Sequence, residues 1–536
     1  MKAKVTIQDI VDALGMENLL TSIDGDTPCN AIMSFYTDDK GKEAAVREIK
    51  GITYNSKEVG EDYLFVCKGA NFKESYLDEA KARGAVCYVR ETADAGGAAP
   101  DVCDTKDKPT HVFSECIEID VREIRKAMPV IAKAYYGKAD EAVKIVGITG
   151  TKGKSSTVYF MRSILDEYMN AIGGEKTAVC SGIENYDGVV SEESHLTTPE
   201  VMELYRHMDN AVRSGIKYMS IEVSSQALKY DRVAGISFEA GALLNIGSDH
   251  ISPIEHPDLE DYLNSKLKLF AHCKKACYSL ESEHQAEIKA ASEICPYVIT
   301  FSNKDERANV YAYNIRSEDG HAIFDVRVRD VEAYEDFDES LKMRTFGRVN
   351  VDNALAAIAL SALLGIPKEH IINGLSKARV PGRMEVFKSS DGKRTVIVDY
   401  AHNGLSFDRF FESAETEYPG RKIISVFGSA GGKAYNRRAE MGESAGIHAS
   451  YSIITEDDSG PEDVEDICRE IAEHIKEVGG KCEIVPDRAD AIKRAIDIMD
   501  DDTILFVAGR GTDSGMKRDG GIVEYPADSD IVEEYL

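Results

Sequence analysis

The chain has 536 residues, 64 of them basic and 94 acidic, for a net charge of −30. That length exceeds what one hydrophobic core serves and suggests about three domains; the charge repels nucleic acid and anionic membrane in bulk, so an anionic substrate has to be met by a local basic patch. The 11 cysteines follow no repeating spacing. The nearest pair, Cys273 and Cys277, lies in HCKKAC, which reads as helix, and reduced structural thiols are expected in place of a zinc site.

From the N-terminus, MKAKVTIQDIVDALGMENLL has acidic residues among its apolar ones and predicts an amphipathic helix, not a signal peptide. No apolar run approaches bilayer length. A soluble, cytoplasmic protein is expected, without membrane or nucleic-acid partners, and it is taken as a monomer. Residues 1 to about 120 alternate short strands (EIKGITYNS, DYLFVCKG, AVCYVRE) with helical stretches such as 74–83, then end in a polar segment from Thr92 to Pro109. This predicts a small α/β unit. The helical VREIRKAMPVIAKAYYG leads into a second unit, to about residue 380, whose strands include YMSIEVSS and FEAGALLNIGSDH. From Arg394, the apolar runs RTVIVDYAH, KIISVFGSAGG, SYSIITEDD, KCEIVPDR and DTILFVAGRG alternate with helix-length segments, the pattern of a parallel sheet with crossover helices. Four of these runs finish in polar or glycine clusters (DYAH, GSAGGK, EDDSG, GRGTD), and open α/β sheets bind ligands outside the carboxyl ends of their strands. The expected architecture is three α/β domains, 1–120, 121–380 and 381–536.

The stretch IVGITGTKGKSSTVYF, residues 145–160, carries the first chemistry. Lys144 to Thr149 predicts a strand rich in β-branched residues. Gly150 and Gly153 permit a sharp backbone path, and Lys154 can reach a terminal phosphate. Ser155 opens a helix on which Val158, Met161, Leu165 and Tyr168 recur at helical spacing. Free backbone N–H groups ahead of a helix N-terminus, with a lysine beside them, make a phosphate site. Ile148 stands where the strict pattern G-x-x-x-x-G-K-[ST] has its first glycine, but an anion needs the N–H groups and the lysine more than that glycine. Glu222 ends one strand, and Asp249 with His250 ends another; a carboxylate and an imidazole facing a phosphate loop can complete an octahedral Mg²⁺ shell that Ser155 begins. In EDYLNSKLKLF, Lys266 and Lys268 read by default as solvated helical lysines, although a desolvated lysine can lose its proton and react with CO₂ to give an anionic carbamate.

The motifs GTKGKSS, LTTPE, EVSSQAL, SDHISPIEHPDLEDYLNSK, GRVNVDNALAA, RVPGRMEV, VDYAHNG and VFGSAGGKAYNRRAEMG occur in this order across about 400 residues. Together they resemble the Mur ligase family, in particular its members that add the third residue of the peptidoglycan stem peptide. ITYNSKEV and LFVCKGANFKESYL extend the likeness to the family's UDP-binding domain. The resemblance implies an N-terminal UDP-binding α/β domain, a central P-loop ATPase-like parallel-sheet domain and a C-terminal Rossmann-like domain that receives an amino acid. It also implies an ATP-dependent amide ligase of cytoplasmic peptidoglycan precursor synthesis. ATP would phosphorylate the glutamate carboxylate of UDP-N-acetylmuramoyl-L-alanyl-D-glutamate, and the amine of a free diamino acid would attack the acyl phosphate. A carboxylate becomes electrophilic only once its oxygen is a phosphate leaving group, and two anions approaching each other need cations between them.

Carried onto this sequence, the resemblance places ATP on Gly150, Thr151, Lys152, Gly153, Lys154, Ser155 and Ser156, with Asn353 at the adenine, Arg383 at a phosphate and Asp399 at the ribose. One or two Mg²⁺ would be held by Ser155, Glu222, His250 and Lys266 as a carbamate, and Lys154, Lys266, His250 and Glu222 would carry the catalysis. Ser56, Gly69, Ala70 and Asn71 match the uridine-diphosphate region. Thr197, Thr198, Ser224 and Arg232 match residues gripping the peptide portion, and the two threonines also read as a helix cap before Pro199 and Glu200. Arg438, or its neighbour Arg437 if the register shifts by one, would receive the incoming amino acid's α-carboxylate. Diaminopimelate-adding members carry D-N-P-R, whose arginine pairs with the substrate's second carboxylate; here the stretch is Asp457 to Gly460, DDSG. L-Lysine is therefore expected, its side-chain ammonium facing Asp457, Asp458 and Asp513, and SDHISPIEHP and VDYAHNG are closer to the lysine-adding branch. The alternative is meso-diaminopimelate, with Arg510 of Gly509-Arg510-Gly511-Thr512-Asp513 as the missing cation. A folylpolyglutamate synthetase-like ligase shares the loop and the lysine but leaves the N-terminal unit without a purpose. A silent scaffold paralogue has no need of Lys154, Glu222, His250 and Lys266 together.

Overall fold

The computed structural model of the chain describes residues 4–69, 72–92, 113–194, 196–247, 251, 255–318, 321–344, 349–432 and 435–536. Two compact units divide it, one of Met1–Thr151, Gly173–Ala276 and His284–Val298, the other of Lys152–Ile172, Cys277–Glu283 and Ile299–Leu536.

The first unit opens with the amphipathic helix Ile7–Met16, which buries Ile7, Ile10, Val11 and Leu14. Thr6 and Asp9 cap it reciprocally, the Asp9 carboxylate accepting the Thr6 N–H at 2.7 Å and the Thr6 hydroxyl accepting the Asp9 N–H at 3.3 Å. Strands β1 (Leu20–Ile23), β2 (Gly51–Thr53), β3 (Tyr63–Val66), β4 (Ala85–Glu91) and β5 (Ile117–Val121) form a sheet in the order β1-β5-β4-β3-β2. It is parallel except for β1. A second set follows: β6 (Lys144–Thr149), β7 (Ala178–Cys180), β8 (Glu184–Tyr186), β9 (Ser191–Glu193), β10 (Tyr218–Glu222) and β11 (Ala240–Leu243). Its order is β11-β6-β10-β7-β8-β9, and β6 runs parallel to both neighbours, with Glu222 opposite Ile148 and Leu243 opposite Thr149. The carboxyl end of β6 is thus flanked by two others, the place where open α/β sheets bind ligands. The HCKKAC segment is not one helix: a short 3₁₀ turn, Lys268–His272, ends at Cys273, and Cys277 lies within β12 (Lys275–Ser279). The neighbouring Tyr278 and burial of Ala276 through Ser279 within the sheet outweigh the i, i+4 spacing there. Both thiols are buried and unbridged.

In the second unit, β13 (Tyr297–Ser302) pairs in parallel with β14 (Val310–Glu318), and β15 (His321–Val328) and β16 (Phe337–Met343) extend it as antiparallel strands. This meander is absent from the sequence-based expectation. Its strands alternate, with Val310, Ala312, Phe324, Val326, Leu341 and Met343 buried and the intervening residues polar, as a sheet with one wet face requires. The phosphate-loop helix Lys154–Ala171 packs on the helices Val349–Leu363 and Lys368–Lys377. The second approach is so close that a Cβ on Gly374 would lie 2.5 Å from the Ile164 Cα. The last sheet holds β17 (Glu385–Lys388), β18 (Thr395–Asp399), β19 (Lys422–Phe427), β20 (Tyr451–Ile454), β21 (Cys482–Ile484) and β22 (Thr503–Ala508), in the order β17-β18-β22-β19-β20-β21. Only β17, an edge strand the sequence pattern did not announce, is antiparallel. Beneath it Phe410 stacks on Phe506 with ring centroids 3.5 Å apart. A hairpin of β23 (Gly515–Arg518) and β24 (Gly521–Glu524) follows. Among the described residues no helix is long and apolar enough to cross a membrane.

One buried polar pair in the first unit gives a pH-dependent contribution to stability. Burial alone would raise the Asp187 carboxyl, but His207 at 2.7 Å, Val190 N–H at 2.6 Å, Asn210 at 2.9 Å and Val189 N–H at 2.9 Å outweigh it and bring it down to about 2. A depressed carboxyl stabilises the fold fully above its ordinary range, and the contribution is lost as pH falls toward the folded value. Asp187→Asn is expected to cost roughly 3 kcal/mol in chemical denaturation at neutral pH. The gap to the parent should narrow as pH falls from about 5 toward about 2; a gap independent of pH would contradict the assignment.

Candidate active site

The carboxyl end of β6 delivers Gly150 and Thr151 into a tight set of contacts. The Thr151 N–H donates to the Asn245 carbonyl at 2.9 Å, and its hydroxyl accepts the Gly247 N–H at 3.0 Å, which ties the loop to the end of β11. From the helix Leu259–Leu267, Tyr262 donates its hydroxyl to Thr151 at 3.0 Å and Lys266 donates its ammonium to the Gly150 carbonyl at 2.8 Å. Lys266 is 1% exposed, so the solvated reading fails for it. Lys268, two residues on, is exposed, with its amine 3.4 Å from the Leu228 carbonyl. Beyond Lys152, Gly153 takes φ +87°, and the Asn353 carboxamide oxygen lies 2.1 Å from where a Cβ would stand. Only glycine fits there, and Asn353 is thereby placed against the loop. The helix starts at Lys154, one residue earlier than its sequence suggests, and no side chain caps it. Its first N–H groups, with Ser155 and Ser156 half-buried beside them, are arranged as a phosphate cradle.

Glu222, at the end of β10, is 1% exposed. Its carboxylate accepts the Gly182 N–H at 3.0 Å and faces no cation among the described residues. Thr198 donates its hydroxyl to the Glu222 carbonyl at 2.8 Å and accepts the Ser224 N–H at 3.0 Å, while Arg232 donates to the Thr198 carbonyl at 3.2 Å. Thr198, Ser224 and Arg232 are therefore one cluster. The helix Val201–Arg213 is capped by Glu200 and not by either threonine, because Glu200 is the residue with extended backbone before its first turn. Thr197 contributes no cap. Glu200 also pairs with Arg232 at 3.0 Å and with Lys68 at 2.5 Å. Lys68 is a cation that motif reading passed over, although CKGAN sets it next to Gly69. Burial lowers its amine from the ordinary value, and Glu200 opposes that shift. Gly69 itself takes φ +106°, and Ser56 donates to Glu79 at 2.7 Å. Ala70, Asn71 and His250 lie outside the described residues.

In the second unit, the Asp399 carboxylate at the end of β18 accepts the Met384 and Ala401 N–H groups, each at 2.7 Å. Burial raises it, opposed by the Arg383 guanidinium, which lies 4.6 Å from the Tyr400 ring centroid. The loops after β20 and β22 meet through Arg510, 2% exposed, which donates to Asp458 at 3.0 Å and lies 3.7 Å from Asp457. Asp513 accepts the Tyr400 hydroxyl at 2.8 Å. Arg438 is 1% exposed and committed to Glu462 at 2.7 Å and Glu470 at 2.6 Å. Arg437 is half-buried, with no hydrogen bond or ion pair among the described residues.

Residues 148–361 match the model of the Mur ligase middle domain, and residues 382–511 that of the Mur ligase glutamate ligase domain. The chain is 36% identical to the UDP-N-acetylmuramoyl-L-alanyl-D-glutamate–L-lysine ligase of Enterococcus faecalis, over 91% of this chain and 92% of that protein. The chain belongs to the Mur ligase family. It is 34% identical to a UDP-N-acetylmuramyl-tripeptide synthetase of Bifidobacterium longum over 99% of both chains. A solved UDP-N-acetylmuramoyl-L-alanyl-D-glutamate–2,6-diaminopimelate ligase has the same fold, with a TM-score of 0.61 at 22% identity, covering 91% of this chain and 94% of that one. Like other Mur ligases, the protein is an ATP-dependent amide ligase that uses Mg²⁺.

The residues present fit that metal: a buried carboxylate with no cation paired to it among the described residues, as at Glu222, has the charge and oxygen donors that Mg²⁺ takes. Among the described residues no three His, Cys, Asp or Glu side chains cluster. The loop geometry makes a direct prediction. Gly153→Ala forces a strained φ and pushes on Asn353, and is expected to weaken ATP binding by at least about tenfold in calorimetry. Unchanged affinity would contradict the placement of the phosphate at this loop.

Proposed function

We propose that this enzyme joins L-lysine to the D-glutamate carboxylate of UDP-N-acetylmuramoyl-L-alanyl-D-glutamate in peptidoglycan precursor synthesis in the cytoplasm, acting as a monomer without nucleic-acid or membrane partners. Three domains serve it: residues 1–120 for the UDP end, 121–380 for ATP, and 381–536 for the amino acid. The relatives in Enterococcus faecalis and Bifidobacterium longum support the substrate class by their names.

The choice of lysine rests on the charges at the carboxyl ends of β20 and β22. Arg510 is matched by Asp458 and donates also to the Gly515 carbonyl, Arg518 is matched by Glu456, and Arg488 by Asp528. One-to-one matching leaves carboxylate in excess, with Asp457 sharing Arg510 at 3.7 Å and Asp513 accepting the Tyr400 hydroxyl. A diaminopimelate carboxylate would meet cations already committed, whereas an ammonium would meet a carboxylate. This reading also assigns the α-carboxylate to Arg437, since both terminal nitrogens of the Arg438 guanidinium are already paired with Glu462 and Glu470.

Lys154 and the N–H groups of the phosphate-loop helix would hold the triphosphate while the D-glutamate carboxylate oxygen attacks the terminal phosphorus and ADP leaves. Asn353, Arg383 and Asp399 would hold adenine, a phosphate and the ribose. Ser56 and Gly69 to Asn71 would take the UDP end, and Thr197, Thr198, Ser224 and Arg232 the peptide. The lysine α-amine, having shed a proton, then attacks the acyl carbon, and phosphate departs as the amide forms. Ser155, Glu222, His250 and Lys266 as a carbamate would hold Mg²⁺, which offsets phosphate charge when bound. Carbamylation suits the position of Lys266, because a carbamate nitrogen keeps one N–H for the Gly150 carbonyl.

Two measurements test this reading. Steady-state assays should give a kcat/KM for L-lysine about a thousandfold above that for meso-diaminopimelate; the reverse order would refute it. Lys266→Ala should lower kcat by about a hundredfold or more, and Lys268→Ala by less than about twofold. Equal effects of the two substitutions would remove Lys266 from the catalytic set.

A further inference from the structure

We propose that Asp528, acting through Arg488, is a positioning residue for the loops that receive the amino acid, which makes the helix Asp528–Tyr535 at the end of the chain a working part of the site. This rests on the reading above that the loops after β20 and β22 take the incoming amino acid.

Arg488 is the first residue of the helix Arg488–Ile498 and is fully buried, as is Asp528. Its Nε donates to Asp528 Oδ1 at 2.6 Å and its Nη2 to Oδ2 at 2.8 Å. The rest of the guanidinium reaches two backbone carbonyls, Glu456 at 3.0 Å through Nη1 and Ala508 at 2.7 Å through Nη2. These carbonyls belong to different strand ends. Ala508 closes β22 and Glu456 lies two residues beyond β20, and β19 separates the two strands in the sheet. One planar cation therefore fixes the separation of two loops whose next residues are Asp457 and Asp458 on one side and Gly509 and Arg510 on the other.

Asp528 also acts directly, since its Oδ2 accepts the Gly511 N–H at 3.2 Å. The loops it sets are packed without slack. A Cβ on Gly509 would lie 2.7 Å from Asp457 Oδ2 and 3.5 Å from Arg488 Nη2. A buried ion pair is a poor way to gain stability, because an apolar pair of similar volume does as well. What an apolar pair lacks is a rigid fork of donors aimed at two carbonyls. Small displacements of groups that orient a substrate cost large factors in its use, so the function of the pair lies in the geometry of the loops.

The test uses the full-length enzyme with Asp528→Asn, Arg488→Lys and Asp457→Asn, each assayed for the KM of L-lysine, ATP and the nucleotide dipeptide, with a melting curve. The proposal expects the L-lysine KM to rise about tenfold or more in Asp528→Asn and Arg488→Lys, with the ATP KM within about twofold of the parent. A purely structural role would instead lower the melting temperature and the active fraction, leaving every KM unchanged. That outcome, with Asp457→Asn still raising the L-lysine KM, overturns the proposal and leaves the amino-acid site standing. An ATP KM raised as much as that of L-lysine also overturns it, as does failure of both variants to fold. If Asp457→Asn leaves the L-lysine KM unchanged, the amino-acid site and the proposal fall together.

Discussion

Repulsion between anions is the constraint on which this protein is built. A triphosphate must be brought to a carboxylate inside a chain of net charge −30, so every favourable field in the site has to be local. The phosphate loop meets that need with backbone N–H groups at an uncapped helix start and with Lys154, and its shape is held from outside. Tyr262 and Lys266 grip Thr151 and Gly150 from a separate helix, and Asn353 fills the space that glycine leaves at position 153. The protein's own groups hold the loop's shape, and groups fixed in this way stabilise charge without a reorganisation cost.

The same device recurs in different materials. At the cluster proposed for the peptide, Lys68 and Arg232 share the one carboxylate of Glu200, an excess of positive charge kept in place by a single anion. At the ends of β20 and β22 the balance is reversed, with each arginine matched and carboxylate in excess. In the proposed reading one cluster takes an anionic substrate and the other an ammonium, and the sign of each follows from how many partners the fold supplies.

Local signals were legible in the sequence and non-local ones were not. The strand, loop and helix around Lys154 are contiguous, so periodicity and glycine placement sufficed to find them, and the runs from Arg394 onward were recognisable because parallel strands buried on both faces are continuously apolar. The meander β14 to β16 escaped because its alternating strands carry many charges. The helical reading of HCKKAC failed because spacing outvoted strand propensity. Burial of Lys266 could not be read from EDYLNSKLKLF, where Lys268 has the same local surroundings; the difference is made by the Gly150 carbonyl, more than a hundred residues away. Arg488 and Asp528 are likewise 40 residues apart and belong to no motif.

The central claim is that the cradle at Lys154 exists to turn a carboxylate into an acyl phosphate. The most direct test is oxygen transfer. With the D-glutamate carboxylate labelled with ¹⁸O and the reaction run to completion with ATP and L-lysine, the account predicts one ¹⁸O in each phosphate released. Unlabelled phosphate from a reaction that still forms the amide would contradict it.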